Sequence, residues 1–128
     1  MTAPQTGGIY VLDVKGAMPH RATKHCVCVS VGAGKYIAIN SNSRPEYDEL
    51  KINASDYDFL NGVDRFISCF RTVTRTPDKI ISKVGTLSRD DTQKLIYIIT
   101  KSKTILGDEQ KLLLAELKAS IMRKPSAQ

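Results

Sequence analysis

The stretch KHCVCVSVGAGKYIAIN, residues 24–40, decides the fold of this chain. Residues 24–31 form a run rich in valine and cysteine, Gly-Ala-Gly follows at 32–34, and residues 35–40 form a second apolar run. β-branched and aromatic side chains favour strands, and glycines permit the tight turn that joins two of them. The stretch therefore predicts a β-hairpin.

Strand-like segments flank this hairpin on both sides. GIYVLDV (8–14) predicts a strand before it, and residues 49–53 predict a short edge strand after it. DRFISCFRTVT (64–74) alternates between two partly apolar faces, which predicts one continuous strand that fits a central position in the sheet. The intervening residues 15–23 and 41–47 are rich in turn formers and predict loops.

Pro77 breaks the strand pattern, and after residues 79–84 and Gly85 the apolar pattern changes from the period of a strand to that of a helix. Ser88 followed by Asp91 predicts a capped helix start. An apolar stripe predicts that this helix ends near Gly107, and its members are Leu95, Ile96, Ile99 and Ile105. A second helix is predicted from Asp108, with an apolar side formed by Leu112, Leu113, Leu114, Leu117 and Ile121.

The order of these elements predicts the fold class. Strands grouped first and helices last indicate an α+β fold with an antiparallel sheet. At 128 residues we expect a single domain over 1–128, with a β region at 8–86 and two C-terminal helices at 88–123. Strands this short favour a small curled sheet or barrel, which closes the sheet edges.

The charge balance favours a polyanionic partner. Nineteen Lys and Arg against thirteen Asp and Glu leave a net charge of +6, which suits nucleic acid or an acidic protein segment. An aromatic fraction of only 6% does not suggest the stacking platform of the common single-strand binders. The start of the chain lacks the pattern of a secretory signal, and no apolar run approaches the ~20 residues of a membrane span. We therefore expect a cytoplasmic protein without a membrane partner.

Several familiar catalytic and metal-binding motifs are absent from the sequence. There is no Gly-rich phosphate loop, G-x-S-x-G, C-x-x-C or H-E-x-x-H. On a strand, His25 faces away from Cys26 and Cys28, so we interpret both cysteines as small buried apolar residues. The acidic pairs at positions 56 and 58 and at 90 and 91 fit a turn and a helix start better than a Mg²⁺ site. We expect no metal and no other cofactor.

Two polar clusters fall at the same end of the predicted hairpin. Their members are His20, Arg21 and Lys24 before its first strand and Asn40, Ser41, Asn42, Ser43 and Arg44 after its second. Metal-free RNA cleavage needs groups that align the 2′-OH, move two protons and stabilise the charge on the phosphorane. His20 suits the proton transfers and Arg21 suits the phosphorane charge. Asn40 and Ser41 suit hydrogen bonds that orient the phosphate or 2′-OH, although two solvated polar loops remain the alternative.

Five segments of the chain carry a resemblance to a known family. They are GIYVLDV, PHRATKH, CVCVSV, YIAINS and FLNGVDRFISCFRTVTRTPDKIISKVGTLSRDD, within roughly residues 8–106. This layout resembles the PemK/MazF-like toxins of bacterial toxin–antitoxin systems. The resemblance implies an SH3-like barrel, a homodimer, and metal-independent, sequence-selective cleavage of single-stranded RNA. It also implies inhibition by an antitoxin whose disordered, often acidic segment covers the RNA groove.

The resemblance also assigns roles to individual residues. Arg21 matches the catalytic arginine of the family, and Ser41 matches the serine of its Thr-Ser pair. The family's Arg-Pro is absent here because Ala-Thr-Lys follows Arg21, so Lys24 is a second candidate for the role of the arginine. Asn40 stands where the family has threonine. The candidate RNA-binding residues are Lys24, Arg44, Arg65 and Arg71.

Two other functions fit the same sequence. A non-catalytic SH3-like or OB-like module would use these basic residues to hold nucleic acid or an acidic protein partner. A structural assembly protein would use the apolar side of the helix at 112–121 as the seam of an oligomer.

Overall fold

A computed structural model describes residues 3–18 and 21–123. Within these residues, seven strands precede two helices: β1 Gly8–Asp13, β2 Thr23–Ser30, β3 Lys35–Asn40, β4 Leu50–Ile52, β5 Arg65–Ile67, β6 Val73–Thr74, β7 Ile80–Thr86, α1 Arg89–Thr100 and α2 Gly107–Met122. The strands lie in the order β4-β5-β3-β2-β1-β7, and β6 also pairs with β3. The observed pairings are antiparallel. The α+β fold with C-terminal helices is confirmed, and β4 occupies the predicted edge.

The predicted hairpin is formed by β2 and β3. Cys26 pairs with Ala38, and Val27 pairs with Ile37. Gly34 in the connecting turn has a φ of +64°, and a Cβ atom there would lie 2.6 Å from the Arg75 carbonyl oxygen. Only glycine fits this position, because both the left-handed backbone and the close approach exclude a side chain.

The prediction of one strand over 64–74 is wrong. The structure forms two strands, β5 and β6, which both pair with β3 but in different registers. Ile39 pairs with Ile67 and Tyr36 pairs with Val73, so a separation of three residues along β3 corresponds to six residues in the other segment. The extra residues form a bulge in which the Cys69 side chain is buried. A period-two pattern indicates that a segment forms a strand, but the register depends on the partner strand. The position of the bulge was therefore not predictable from the sequence pattern.

Both faces of the hairpin are buried. One face packs against the two helices, through Val27, Ile37, Leu95 and Leu113 among others. The other face forms a second cluster with β1, whose members are Tyr10, Leu12, Val14, Cys26, Cys28, Tyr36 and Ala38. The two cysteines are free, fully buried thiols, and burial raises the pKa of each to about 12. Their interpretation as buried apolar residues is confirmed.

The predicted start of α1 is confirmed, and a tyrosine completes its cap. The Asp91 backbone N–H donates to Ser88 Oγ at 3.1 Å. Tyr57 Oη accepts from the Ser88 N–H at 3.0 Å and donates to Asp91 Oδ2 at 2.6 Å. In a capping box, a side chain at the third helical position accepts from the N-cap N–H; here the Tyr57 hydroxyl accepts that hydrogen bond instead. It also connects the first turn of α1 to the segment between β4 and β5.

The predicted end of α1 near Gly107 is wrong, because α1 ends at Thr100. Ser102 Oγ accepts from the backbone N–H groups of Thr104 and Ile105, at 3.2 and 2.9 Å. This side-chain turn replaces the helical hydrogen bonds. Ile105 is still buried, but in the connection between the helices. The apolar stripe thus predicted burial correctly and helix length incorrectly.

Candidate functional site

Antiparallel pairing brings polar residues from three strands to one end of the sheet. Lys24 lies near the start of β2, and Asn40 is the last residue of β3. Arg65 begins β5, whose next residue, Phe66, pairs with Asn40. Residues that are distant in sequence therefore meet beyond the ends of these strands.

Three basic residues at this end form a group that we call the cation cluster: Arg21, Lys24 and Arg65. The pKa of the half-buried Lys24 ammonium lies below its usual range, first because burial disfavours the charge and then because the Arg21 and Arg65 charges repel it. Arg65 also donates a hydrogen bond from Nη1 to Ser41 Oγ at 3.1 Å. The Ser41 hydroxyl is therefore held beside the cluster by Arg65.

No member of the cation cluster forms an ion pair with a carboxylate within 4.0 Å among residues 3–18 and 21–123. The ion pairs within 4.0 Å in that part of the chain are Lys35–Glu109, Lys51–Asp64 and Lys94–Asp91, and none includes a member of the cluster. Neighbouring like charges repel, and a bound anion relieves the repulsion. The arrangement is suited to a phosphate or another anionic group.

His25 borders the cation cluster on the other face of β2. Its ring stacks on Phe59, with centroids 5.4 Å apart and planes at 22°. The pKa of its imidazole is lowered by burial and then by the charges of Arg65 and Lys24. Phe59 packs on the helix-covered core, whereas Cys26 and Cys28 belong to the opposite cluster. The prediction that His25 points away from the cysteines is confirmed.

A second group of polar side chains lines a cavity of about 540 Å³, which we call the aromatic–arginine cavity. Its lining includes Asn40, Arg44, Tyr47, Ser68, Phe70 and Arg71. The rings of Tyr47 and Phe70 lie with centroids 5.0 Å apart and planes at 37°. Phe70 is 39% exposed, so part of this aromatic pair faces solvent.

The predicted site residues divide between these two neighbouring places. Arg21, Lys24, Arg65 and Ser41 lie at the cation cluster. Asn40, Arg44 and Arg71 line the aromatic–arginine cavity. His20 lies outside the described residues. Asn40 and Ser41 are consecutive in the chain and join the two places.

Sequence reasoning did not identify the Tyr47–Phe70 pair. Tyr47 ends a short 3-10 turn, Pro45–Tyr47, and Phe70 lies in the bulge between β5 and β6. The rings, which are distant in sequence, meet at this cavity with Ser68 and Arg71 beside them. The one signal in the sequence was the presence of large aromatic residues in two segments that are otherwise polar or alternating.

Among the described residues, no three His, Cys, Asp or Glu side chains gather as metal ligands would. Neither helix in that part of the chain has the length and apolar character needed to cross a bilayer.

Comparison with known proteins gives no assignment for the chain. A scan against models of protein families finds no match, and a search of curated proteins finds no significant relative. The PemK/MazF-like resemblance therefore stays a prediction that depends on the motifs quoted above.

Proposed function

We propose that this protein is a metal-independent, sequence-selective endoribonuclease for single-stranded RNA and acts as the toxin of a toxin–antitoxin pair. The observation that carries the proposal is the cation cluster, in which Arg21, Lys24 and Arg65 lie together without a carboxylate partner among the described residues. RNA supplies the closely spaced phosphates that such a cluster favours. The adjacent Ser41 hydroxyl supplies a hydrogen-bonding group where a phosphate would bind.

The proposed reaction is transesterification at one phosphodiester. The RNA 2′-oxygen attacks the adjacent phosphorus, the bond from phosphorus to the 5′-oxygen breaks, and the products are a 2′,3′-cyclic phosphate and a 5′-hydroxyl. One group must take the 2′-OH proton, and another must donate a proton to the leaving 5′-oxygen. No oxidant, reductant or metal is needed for this balance.

We propose Lys24 as one described candidate to take the 2′-OH proton. Its lowered pKa makes the neutral amine more abundant near neutral pH than that of an ordinary lysine. Arg21 and Arg65 would stabilise the charge that develops on the phosphorane, and Ser41 would orient a phosphate oxygen. His20 remains the predicted candidate for the second proton transfer, and Asn40 for orienting the 2′-OH.

The proposal extends to the architecture of the family. Two register shifts in the β1–β7 pairing and the bulge between β5 and β6 increase the twist of the sheet, which supports an SH3-like barrel. If the barrel closes, the outer backbone N–H groups of β4 and β7 should exchange slowly with solvent; rapid exchange along both edges would contradict closure. Three free thiols suit a reducing cytoplasm.

The proposed partners follow from charge and from exposed apolar residues. An acidic antitoxin segment would compete with RNA for the cation cluster. Exposed apolar side chains on α2 and in the connection before it, at Leu106, Leu112 and Met122, offer contacts for a homodimer or for the antitoxin.

RNA cleavage in the presence of excess EDTA tests the proposal. Purified protein incubated with mixed-sequence single-stranded RNA should give discrete fragments with 5′-hydroxyl and 2′,3′-cyclic phosphate ends. Intact RNA in every sequence context would contradict it. A catalytically inactive preparation is distinguished from a misfolded one by circular dichroism and thermal unfolding on the same sample.

One observation favours the non-catalytic alternative, a module that binds nucleic acid or an acidic protein. Ser41 already accepts a hydrogen bond from Arg65, and Asn40 has no hydroxyl, so the site can hold phosphate without promoting its reaction. Salt-sensitive RNA binding without any product would favour this function over cleavage.

A further inference from the structure

We infer that the aromatic–arginine cavity is a nucleotide subsite, in which an RNA base stacks on the Tyr47–Phe70 pair while Arg44 and Arg71 hold the adjoining phosphate. The inference rests on the proposed function and adds the base contact of the same site. It identifies the part of the protein that would make RNA binding selective.

The position of Phe70 is the first argument. The side chain is 39% exposed, while Cys69 beside it is fully buried. Thr104 Oγ1 donates a hydrogen bond to the Phe70 carbonyl oxygen at 2.5 Å, which anchors the bulge to the connection between the helices. The Phe70 backbone is therefore tied to the helix connection while its ring is partly open to solvent. An ordered aromatic face open to solvent is what a base needs for stacking.

The polar lining of the cavity is the second argument. Arg44 and Arg71 form no ion pair with a carboxylate among the residues described. The nearby Glu49 carboxylate accepts from the Ser43 hydroxyl and from the Arg44 backbone N–H, not from the Arg44 guanidinium. Both guanidinium groups are thus available to a phosphate, the anion that suits their planar donors.

The combination of groups selects a nucleotide over a purely apolar or purely anionic ligand. Besides the rings and arginines, the Asn40 amide and the Ser68 hydroxyl line the same cavity and can hydrogen-bond to the edge of a base. The volume of about 540 Å³ lies within the range of ordinary small-molecule sites.

The aromatic–arginine cavity adjoins the cation cluster through two consecutive residues. Asn40 lines the cavity, and the next residue, Ser41, accepts the hydrogen bond from Arg65. Consecutive Cα atoms are about 3.8 Å apart, so one RNA strand can place a base in the cavity and a neighbouring phosphate at the cluster. The cluster would then bind the backbone of any RNA, and the cavity would distinguish its bases.

Binding of two 2′-O-methyl oligonucleotides tests the inference, because blocking the 2′-OH prevents cleavage during the measurement. The probes are a fluorescent pentanucleotide and the same backbone with abasic sites in place of the central bases. Wild-type protein should bind the first about tenfold more tightly than the second. Phe70→Ala should remove most of this difference and leave binding of the abasic probe unchanged.

Tyr97→Ala is the matched control, since Tyr97 is 66% exposed on α1 and does not line the cavity. It should keep the wild-type preference, as should Phe70→Trp, which restores a stacking ring. Equal wild-type binding of both probes would overturn the inference and leave backbone binding at the cation cluster intact. If wild-type protein bound neither probe at low salt, the proposed function itself would fail as well.

Discussion

Arg65 and Ser41 are joined by a hydrogen bond in which the guanidinium Nη1 lies 3.1 Å from the hydroxyl oxygen. The contact links the start of β5 to the end of β3, and it leaves the hydroxyl proton of Ser41 free to donate elsewhere. It also brings one cation of the cluster to the residue that the family resemblance assigns to catalysis. The cation cluster and the nearby hydroxyl are therefore parts of one site.

Salt dependence should show how many phosphates the cation cluster neutralises. For single-stranded nucleic acid, each neutralised phosphate contributes about −0.7 to the slope of log K against log salt concentration. Arg65→Ala should therefore make the slope less steep by about 0.7. The measurement is fluorescence anisotropy with a 2′-O-methyl oligonucleotide over a range of salt concentrations.

Lys111→Ala provides the charge-matched control for this measurement, because Lys111 is exposed on α2 and away from the cluster. Its slope should equal that of the wild type. An Arg65→Ala slope as steep as that of the wild type would mean that Arg65 does not contact phosphate.

The pH dependence of cleavage should reveal the role of Lys24. Its pKa lies below the ordinary value of 10.5, because of burial and the charges of Arg21 and Arg65. If its neutral amine takes the 2′-OH proton, the single-turnover rate rises with pH and levels off below pH 10.5. Lys24→Arg keeps the charge but cannot lose its proton, so the pH-dependent rise should disappear. The same rise in the variant would exclude Lys24 as the base.

Tyr57 should stabilise the fold without a part in catalysis. Tyr57→Phe removes the hydrogen bonds to the Ser88 N–H and to the Asp91 carboxylate, which is only 6% exposed. We expect a loss of about 1–3 kcal/mol in the free energy of unfolding, measured by urea denaturation. The cleavage rate per folded molecule should not change. A variant as stable as the wild type would show that the phenol cap contributes nothing.

Alkaline pH should destabilise the protein through its buried thiols. Burial raises the pKa of Cys26, Cys28 and Cys69 from 9.0 to about 12. Because the folded pKa is the higher one, their contribution is fully present below pH 9 and is lost as the pH rises from 9 toward 12. Each thiol should lower the free energy of unfolding by about 1.4 kcal/mol per pH unit in that window.

Urea denaturation under reducing conditions checks this pH dependence. Lys24 acts in the opposite direction, since its lowered pKa adds stability as the pH rises toward 10.5. Above pH 10 the buried Tyr10, Tyr36 and Tyr57 act with the thiols, because burial raises the pKa of each phenol above its ordinary 10.0. The thiols and phenols outnumber Lys24, so the net stability should fall. In Cys69→Ala, the fall in the free energy of unfolding per pH unit should be smaller by the contribution of one thiol, about 1.4 kcal/mol. A stability that stays constant above pH 9 would contradict the burial of the thiols.

Local sequence patterns predicted the parts of the fold that depend on neighbouring residues. The hairpin of β2 and β3 and the Ser88 cap are of this kind, because turn glycines and capping side chains act within a few residues. The split of β5 from β6 and the end of α1 were missed. The first depends on the register against β3, and the second on the Ser102 hydroxyl replacing helical hydrogen bonds.

The candidate site divides in the same way. Pairing within one hairpin sufficed to predict that Lys24 and Ser41 lie at the same end of the sheet. The Arg65–Ser41 hydrogen bond depends on β5 pairing with β3, which no local pattern specifies. The Tyr47–Phe70 contact joins a 3-10 turn to the segment between β5 and β6, and no local pattern specifies that contact, so the sequence did not indicate an aromatic pair beside the arginines.

Single-turnover cleavage in excess EDTA tests most directly whether the cation cluster cleaves RNA. Wild type, Arg65→Ala and Lys111→Ala are compared on one single-stranded RNA, with the 5′ ends of the fragments identified. We predict 5′-hydroxyl fragments, a rate about a hundredfold lower for Arg65→Ala and an unchanged rate for Lys111→Ala. Intact RNA with folded wild-type protein, or equal rates for wild type and Arg65→Ala, would contradict the claim.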